Sequence, residues 1–333
     1  MIELNHDELR IHFPEVHEQA RLAINFQRTL RIPDDGRTYP LPAGLGRFPL
    51  RHVDDHARTA PPQWIEHGGV MLPMYQAEAL WVCFNGGYPF ALKIATGKIN
   101  AVTGEDWRDG LHRDPQDYLV APSQPWLDGY CVEQGVIRQF VAIPLGEGYT
   151  VEEQITGRGA VGGLQIVAYP MKRDAFERYR SARRGPRYGS LSFLDADVVC
   201  GSLAMGLAPG GRMRQEIYDD PHSLEDWDQR HRARCFVHIA NARQWRAITG
   251  DAPPTEPITA AQYREHGVPW FDYYAADLKG VAGAGILQRL KSVVEMGRAK
   301  GETLIAENDP IAADRVVQLR RGLKRSEVRE GAF

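Results

Sequence analysis

The sequence predicts an α+β protein that is predominantly antiparallel β, with a sandwich-like or open-barrel-like N-terminal region followed by a smaller α+β region. Three observations lead to this prediction. Apolar and polar residues alternate in several short runs, turns rich in glycine and proline separate those runs, and helical patterns are concentrated in the second half. We divide the chain into a β-rich domain (1–171), a basic connector (172–190), an α+β domain (191–300) and a basic helical tail (301–333).

The clearest predicted strand is Leu22 to Ile32, where apolar residues recur at every second position. Such a period of two predicts that one face of the strand is buried and that the other is in contact with water. The run Pro33-Asp34-Asp35-Gly36 then supplies a turn. The same reasoning predicts shorter strands at Leu80–Phe84, Phe90–Ala95, Ile99–Val102, Tyr118–Ala121, Leu164–Tyr169 and Arg234–Ile239.

Two hairpins are predicted where glycines separate strand-like runs. The first spans Val136 to Ile155, with the second arm in the run YTVEEQI, and the second is formed by SLAMGLA and RMRQEIY around Pro209-Gly210-Gly211. The two segments align without gaps, although few residues are identical.

Helices are predicted mainly after residue 240. Thr259 and Gln262 form a capping-box pattern for a helix at 260–266, and a helix containing Trp245 ends at Gly250. Apolar residues with helical spacing predict a third helix and a helical tail. They are Ile286, Leu287, Leu290, Val293 and Val294 in the helix, and Val316, Val317, Leu319 and Leu323 in the tail.

Composition restricts the class of protein. The 333 residues are 43% hydrophobic and carry a formal charge of -3, so a dedicated nucleic-acid binder is disfavoured. Four widely spaced cysteines favour buried thiols over a disulfide framework. The acidic start MIELNHDELR and the absence of a long apolar run predict no membrane span and a cytoplasmic location.

Gly157, Gly159 and Gly162 match the G-x-G-x-x-G pattern of dinucleotide-binding loops. A dinucleotide site needs a helix that begins at this loop, because the amides of its first turn bind the pyrophosphate. The run GLQIVAYP that follows has strand character instead. We therefore expect a strand-to-strand connection with no NAD or FAD.

His52, Asp54 and His56 are the densest group of potential metal ligands in the sequence. On a helix the two histidines would lie on one face, as ligands of a zinc or iron site do. No second cluster that would supply a further ligand is recognisable, and an isolated group of this kind more often lies at the surface or in a turn. No cofactor is predicted; if the protein holds a divalent metal, we expect these residues to bind it.

The pattern P-W-(L/F)-D-x-Y occurs twice, with Trp126 and Asp128 in the first copy and Trp270 and Asp272 in the second. An aromatic ring beside a carboxylate is used in sugar-binding and cation-binding grooves. The same residues also fill cores and cap turns. We expect Trp270 to be structural and Trp126 to lie nearer to solvent.

The leading hypothesis is a non-catalytic ligand-binding or scaffold protein that binds a small ligand or a protein partner near the two Trp-Asp segments. An enzyme with a site at the domain junction, using metal-assisted hydrolysis, is the alternative. Nucleic-acid binding through the basic run Lys172 to Arg187 and the basic tail comes third. The tail could also pack against a second copy of the chain.

Overall fold

The computed structural model describes residues 1–182, 204–275, 278–302, 308, 310, 312–313 and 315–320. The strands are β1 (Ile2–Leu4), β2 (Leu9–His12), β3 (Arg21–Thr29), β4 (Thr38–Tyr39), β5 (Leu41–Pro42), β6 (Gly44–Arg47), β7 (Arg51–His52), β8 (Val70–Pro73), β9 (Ala79–Asn85), β10 (Phe90–Thr96), β11 (Ile99–Asn100), β12 (Leu119–Ala121), β13 (Trp126–Leu127), β14 (Gly129–Glu133), β15 (Val136–Pro144), β16 (Leu164–Pro170), β17 (Met205–Arg214), β18 (Ala233–Ala240), β19 (Trp270–Tyr274) and β20 (Val316–Arg320). The helices are α1 (Pro62–His67), α2 (Val151–Thr156), α3 (Arg173–Ala182), α4 (Ala242–Thr249), α5 (Ala260–Glu265), α6 (Gly285–Gln288) and α7 (Val293–Lys300), with short 3-10 turns at Asp54–His56 and Leu224–Asp226.

Among the described residues, the strands form a large sheet of 17 strands and a small sheet in which β19 lies between β5 and β20. In the large sheet the strands follow the order β1, β2, β3, β9, β15, β17, β18, β16, β10 and β12, and all of these neighbours are antiparallel. The short strands β4 and β8 pair in parallel with β17 and β18. Because β17 and β18 belong to this sheet, the two β-rich regions of the sequence share it.

The predicted fold class is confirmed. Before Lys172 the strands contain far more residues than the helices, and most strand neighbours are antiparallel. Each of the predicted single strands has a counterpart within a few residues, the longest being β3. Period-two alternation therefore locates the longer strands, whereas β1, β2, β8 and β14, among others, have no predicted counterpart. The second face of β3 is also covered, not wet as expected, since Asn25 and Gln27 are only 1% and 8% exposed.

The largest hydrophobic core contains side chains from strands before residue 172 and after residue 204. Tyr130 on β14 is buried in this core, where its hydroxyl forms hydrogen bonds with Thr96 Oγ1 at 2.8 Å and with the carbonyl oxygen of Leu207 at 3.1 Å. A buried hydroxyl needs such partners, and here they lie on β10 and β17. The polar tip of Tyr130 thus connects three strands of the large sheet.

The first predicted hairpin is wrong in its second arm, because Val151–Thr156 is the helix α2. Thr150 and Glu153 form a reciprocal capping box, in which Thr150 Oγ1 accepts a hydrogen bond from the Glu153 amide and the Glu153 carboxylate accepts one from the Thr150 amide. Gly157 ends the helix in the left-handed conformation. The T-x-x-E pattern was the signal for this helix, and it outweighs the β-propensity of its valine and isoleucine.

The second predicted hairpin is also wrong over its described part, because Met205–Arg214 is one continuous strand. Pro209, Gly210 and Gly211 lie within it, where the pairing with β15 changes register between Arg138 and Phe140. A Cβ on Gly210 would lie 2.5 Å from Val141 Cγ2, and one on Gly211 would lie 2.5 Å from the carbonyl oxygen of Pro33. These glycines permit close packing at a bulge and do not form a turn. Since the aligned segment around Thr150 folds as a helix, the resemblance between the two segments is not structural.

The predictions for the later helices have mixed outcomes. The helix with its Thr259 capping box and the helix that ends at Gly250 are confirmed as α5 and α4. The third predicted helix is two short helices, because Ser292 begins a new helix with its own capping box to Glu295. The tail helix is wrong where the tail is described, since Val316–Arg320 is the strand β20 and pairs in parallel with β19.

Candidate functional site

The outward face of β3, β9 and β13 is polar and aromatic. The inward residues of these strands are fully buried apolar side chains such as Phe26, Val82 and Leu127. On the outward side of these strands lie Asn25 and Gln27, which are buried, and Trp81, Cys83 and Trp126, which are half-buried. We call these five residues the aromatic–amide face.

Strand register places the members of the aromatic–amide face side by side. Gln27 is directly opposite Trp81, and Cys83 is opposite both Asn25 and Trp126. The Gln27 side-chain amide donates to Asn25 Oδ1 at 2.7 Å. The rings of Trp81 and Trp126 meet edge to face with their centroids 6.0 Å apart. Both tryptophans are half-buried, so their rings are partly open to solvent.

Two polar atoms of this face lack partners. Among the residues that the structure describes, Gln27 Oε1 and Trp81 Nε1 are buried and form no hydrogen bond. Leaving such a group unpaired typically costs about 1 to 3 kcal/mol. One atom is an acceptor and the other a donor. Other buried side-chain atoms of the described residues also lack a partner, but these two lie beside aromatic rings that are partly open to solvent.

Gly44 on β6 lies against both of these side chains. A Cβ built on Gly44 would lie 3.0 Å from Gln27 Oε1, 2.8 Å from Trp81 Cζ2 and 3.5 Å from Trp81 Cε2, the ring carbon bonded to Nε1. Any larger residue would displace the indole or the amide. The hydrogen side chain of Gly44 is therefore what allows the indole and the amide oxygen to share this corner of the face.

Two consecutive residues, Arg214 and Gln215, bind the aspartates of the two Trp-Asp segments. Arg214 donates two hydrogen bonds to Asp272, each 3.0 Å long, and the next residue, Gln215, donates to Asp128 Oδ2 at 2.7 Å. The Asp128 amide in turn donates to Gln215 Oε1 at 3.0 Å. Consecutive side chains at the end of β17 thus fix the two aspartates.

Asp128 is buried, with only 1% of its surface exposed. Burial raises the pKa of Asp128 to about 8, although the Gln215 amide partly offsets this by binding the carboxylate. The Asp128 carboxyl group is therefore largely protonated at neutral pH. Because Trp126 precedes Asp128 by only two residues, the contact between Asp128 and Gln215 also positions the segment that carries Trp126.

The second Trp-Asp segment contributes a different residue to the site. Tyr273 is half-buried, and the centroid of its ring lies 5.1 Å from that of Trp126. Trp270 is only 3% exposed and packs against Tyr39 and Tyr263, so it is part of a core. This agrees with the expectation that Trp126 is nearer to solvent than Trp270. Of the four residues predicted for ligand binding, Trp126 is on the aromatic–amide face, Asp128 is buried against Gln215, Asp272 is in an ion pair and Trp270 is in the core.

The three cysteine thiols that the structure describes are poorly suited to nucleophilic chemistry. Burial raises the pKa of Cys83 to about 12, although its hydrogen bond with Asn85 and the nearby Arg47 offset part of this rise. Burial also raises the pKa of Cys131 and of Cys235 to about 12. A thiol is a good nucleophile only as the thiolate, so these three remain protonated at neutral pH.

The predicted metal ligands do not lie on one helix. His52 ends the two-residue strand β7, whereas Asp54 and His56 belong to a 3-10 turn. His52 and Asp54 are exposed. In the described part of the chain no group of three or more His, Cys, Asp and Glu side chains is arranged to hold a metal ion. The metal prediction therefore gains no geometric support from these positions.

The glycine-rich loop after α2 is a helix-to-strand connection, not the predicted strand-to-strand one. Its amides at Ala160, Val161 and Gly162 donate to the carboxylate of Glu152, each over 2.8 Å. The loop therefore binds a carboxylate of its own chain where a dinucleotide loop would bind phosphate. The strand β16 begins two residues after the loop, and no helix does.

A second buried polar cluster surrounds Lys93, which is only 1% exposed. Its ammonium group donates to the carbonyl oxygens of Arg108 and Gly110, each at 2.6 Å, and pairs with Asp117 at 2.7 Å. His112 Nδ1 also binds Asp117, at 2.9 Å. Because all three donors of the ammonium group are used, this cluster anchors the loop before β12 to the sheet.

Two of the four basic side chains that the structure describes in the connector form ion pairs. Arg178 on α3 pairs with Asp174 and with Asp226, and Arg180 pairs with Glu177. Arg173 donates to the carbonyl oxygen of Val16. The rest of the connector and the basic residues after 320 lie outside the described residues, so these contacts concern α3 alone.

Comparison of the chain with protein-family models, with curated proteins and with solved structures finds no match. Among the helices of the described residues, none is both long enough and apolar enough to span a membrane.

Sequence reasoning identified Trp126 but missed Gln27, Trp81 and Tyr273. Gln27 and Trp81 could have been found, since both occupy the polar positions of strands whose alternation is readable. Tyr273 could not, because its contact with Trp126 depends on how the small sheet lies against the large one.

Proposed function

We propose that this protein binds a small polar molecule and does not act on it chemically, and that its site is the aromatic–amide face. The observation that carries this proposal is the combination of half-open rings with a buried donor and acceptor that have no partner among the described residues. Aromatic surface supplies contact area to a ligand, while a few fixed polar groups set its orientation. A cytoplasmic location, retained from the sequence, forms part of the proposal.

The arrangement also fixes the Trp126 ring before a ligand binds. Trp126 is held between Trp81 and Tyr273, and the Asp128–Gln215 contact fixes the backbone that carries it. A ring that is already fixed loses little conformational entropy when a ligand stacks on it. Binding should therefore depend on Trp126 itself more than on rearrangement of its strand.

The experiment is a binding screen of the full-length chain by intrinsic fluorescence and calorimetry. The probes are neutral sugars (glucose, maltose, cellobiose), an organic cation (choline) and an organic anion (succinate). We expect at least one class to bind saturably to the wild-type protein and to lose binding in Trp126→Ala. The matched control is Trp107→Ala, another half-buried tryptophan, whose ring lies near Lys93 and away from the face.

Binding that survives Trp126→Ala, or the absence of binding by every class, would overturn the proposal. Metal-assisted hydrolysis remains the alternative function. Stoichiometric metal in the purified protein that the double variant His52→Ala and His56→Ala loses would favour that alternative.

A further inference from the structure

We infer that the molecule bound at the aromatic–amide face is an uncharged, hydroxyl-bearing ligand of the sugar type, which inserts a hydroxyl group between Gln27 Oε1 and Trp81 Nε1. This inference rests on the proposed function and names the class of ligand. It starts from the hydrogen-bonding capacity of the two unpaired atoms. Gln27 Oε1 needs a donor, and the indole Nε1–H of Trp81 needs an acceptor.

A hydroxyl group satisfies both requirements, because its proton can be donated to Gln27 Oε1 while its oxygen accepts from Trp81 Nε1. An ammonium group only donates and would leave the indole unpaired. A carboxylate only accepts and would leave the amide oxygen unpaired. The pair therefore discriminates against both kinds of charged ligand.

The charges around the face agree with a neutral ligand. Arg47, opposite Gln27, pairs with Glu8 at 3.1 Å, and Arg214 is paired with Asp272 at 3.0 Å. Glu8 also accepts from Asn25 Nδ2 at 3.3 Å. These charged groups near the face are thus occupied by one another.

The aromatic rings suit the remaining surface of a sugar. A sugar ring has an apolar face of C–H groups, which packs on an indole while its hydroxyls form hydrogen bonds at the rim. Trp126, inclined to Trp81 by 61° and to Tyr273 by 55°, forms one wall of an angular aromatic surface. Since Gln27 Oε1 and Trp81 Nε1 are covered, the ligand must separate neighbouring side chains as it enters.

The test uses the same sugar, choline and succinate probes with Trp81→Phe, which keeps an aromatic ring and removes only the indole N–H and part of the ring. We expect a sugar to bind the wild-type protein and to bind Trp81→Phe about tenfold more weakly, the usual effect of leaving one hydrogen bond unmade. The midpoint of thermal unfolding of Trp81→Phe should not fall together with its sugar affinity, because this N–H has no partner to lose in the free protein. The matched control Trp107→Phe should keep the wild-type affinity.

The outcomes separate this inference from the proposed function. If choline or succinate binds and needs Trp126, while no sugar binds, the face is a binding site but the ligand class is wrong. If a sugar binds and needs Trp126 but binds Trp81→Phe with wild-type affinity, the hydroxyl does not use this donor, and the inference also fails. If no probe binds, or if binding is independent of Trp126, the proposed function itself fails.

Discussion

The segments 125–130 and 269–274 share the pattern P-W-(L/F)-D-x-Y but have different roles in the fold. In the first, Trp126 is half-open and Asp128 is buried; in the second, Trp270 is buried and Asp272 lies in a partly exposed ion pair. The tryptophan and the aspartate have thus exchanged environments. The cause is the neighbouring strands, since the two-residue strand β13 pairs with β9 of the large sheet, while β19 is the middle strand of the small sheet. Local sequence sets the chemistry of a segment, and tertiary contacts decide which side chain is covered.

The largest expected difference between the segments is the cost of removing each tryptophan. Trp270→Ala should lower the free energy of unfolding by about 3 to 5 kcal/mol, because a fully packed indole is lost from a core. Trp126→Ala should cost about 1 kcal/mol, mainly its ring contacts with Trp81 and Tyr273. Denaturant titration of both variants measures the two costs. Equal costs would show that the two tryptophans do not differ in role.

The aspartates should differ in how they make stability depend on pH. The pKa of Asp128 is raised by burial from 3.8 to about 8, so the folded state holds this proton over a pH range in which the unfolded chain releases it. The sign follows directly: this contribution is present in full below pH 4, and it is lost progressively as the pH rises towards 8. Each pH unit in that window costs roughly 1.4 kcal/mol.

Asp128→Asn removes this titration while keeping the shape of the side chain. As the pH rises from 5 to 8, the free energy of unfolding of the wild-type protein should therefore fall by about 4 kcal/mol relative to that of Asp128→Asn. Denaturant titrations at several pH values measure the difference, and Asp272→Asn is the matched control at the other segment. A constant difference between Asp128→Asn and wild type across this range would contradict a buried, protonated Asp128.

Solvent access distinguishes the two tryptophans without unfolding the protein. Trp126→Phe should remove fluorescence that acrylamide quenches, because the Trp126 ring is partly open to solvent. Trp270→Phe should instead remove part of the protected fluorescence, since Trp270 is 3% exposed. Stern–Volmer analysis of the variants and the wild-type protein gives both fractions. The opposite result would mean that the exposures of the two rings are reversed.

Most of the fold could be predicted from the sequence, because alternation and capping are local properties. Leu22 to Ile32 located β3 within three residues at its C-terminal end, and Thr259 with Gln262 located α5. The errors arose where tertiary contacts override local chemistry. The residues Pro209, Gly210 and Gly211 resemble a turn, yet they lie inside β17. Val141 on β15 and the backbone of Pro33 approach the strand so closely there that only glycine fits.

The candidate site was less predictable, for the same reason. Trp126 was identifiable as an aromatic residue beside a turn, but its neighbours come from β3, β9 and β19, which are distant in the chain. No local sequence pattern predicts that Gly44 leaves space for the Gln27 and Trp81 side chains. The prediction for the tail is wrong for a different reason: Val316 to Arg320 has helical spacing, but this segment pairs with β19 as a strand.

The smallest expected effect concerns Asp272, whose ion pair is partly exposed. Arg214 and Asp272 side chains keep 48% and 22% of their surfaces accessible, so water and salt screen their attraction. Asp272→Ala should therefore lower the free energy of unfolding by about 1 kcal/mol or less, and added salt should reduce that difference further. The geometry favours the upper end of this range, because Arg214 donates two parallel hydrogen bonds and Gln318 a third. Denaturant titration at low and high salt measures the effect, with Arg214→Ala as the companion variant. A salt-independent loss of several kcal/mol would mean that Asp272, like Asp128, anchors its segment, and the contrast between the two aspartates would disappear.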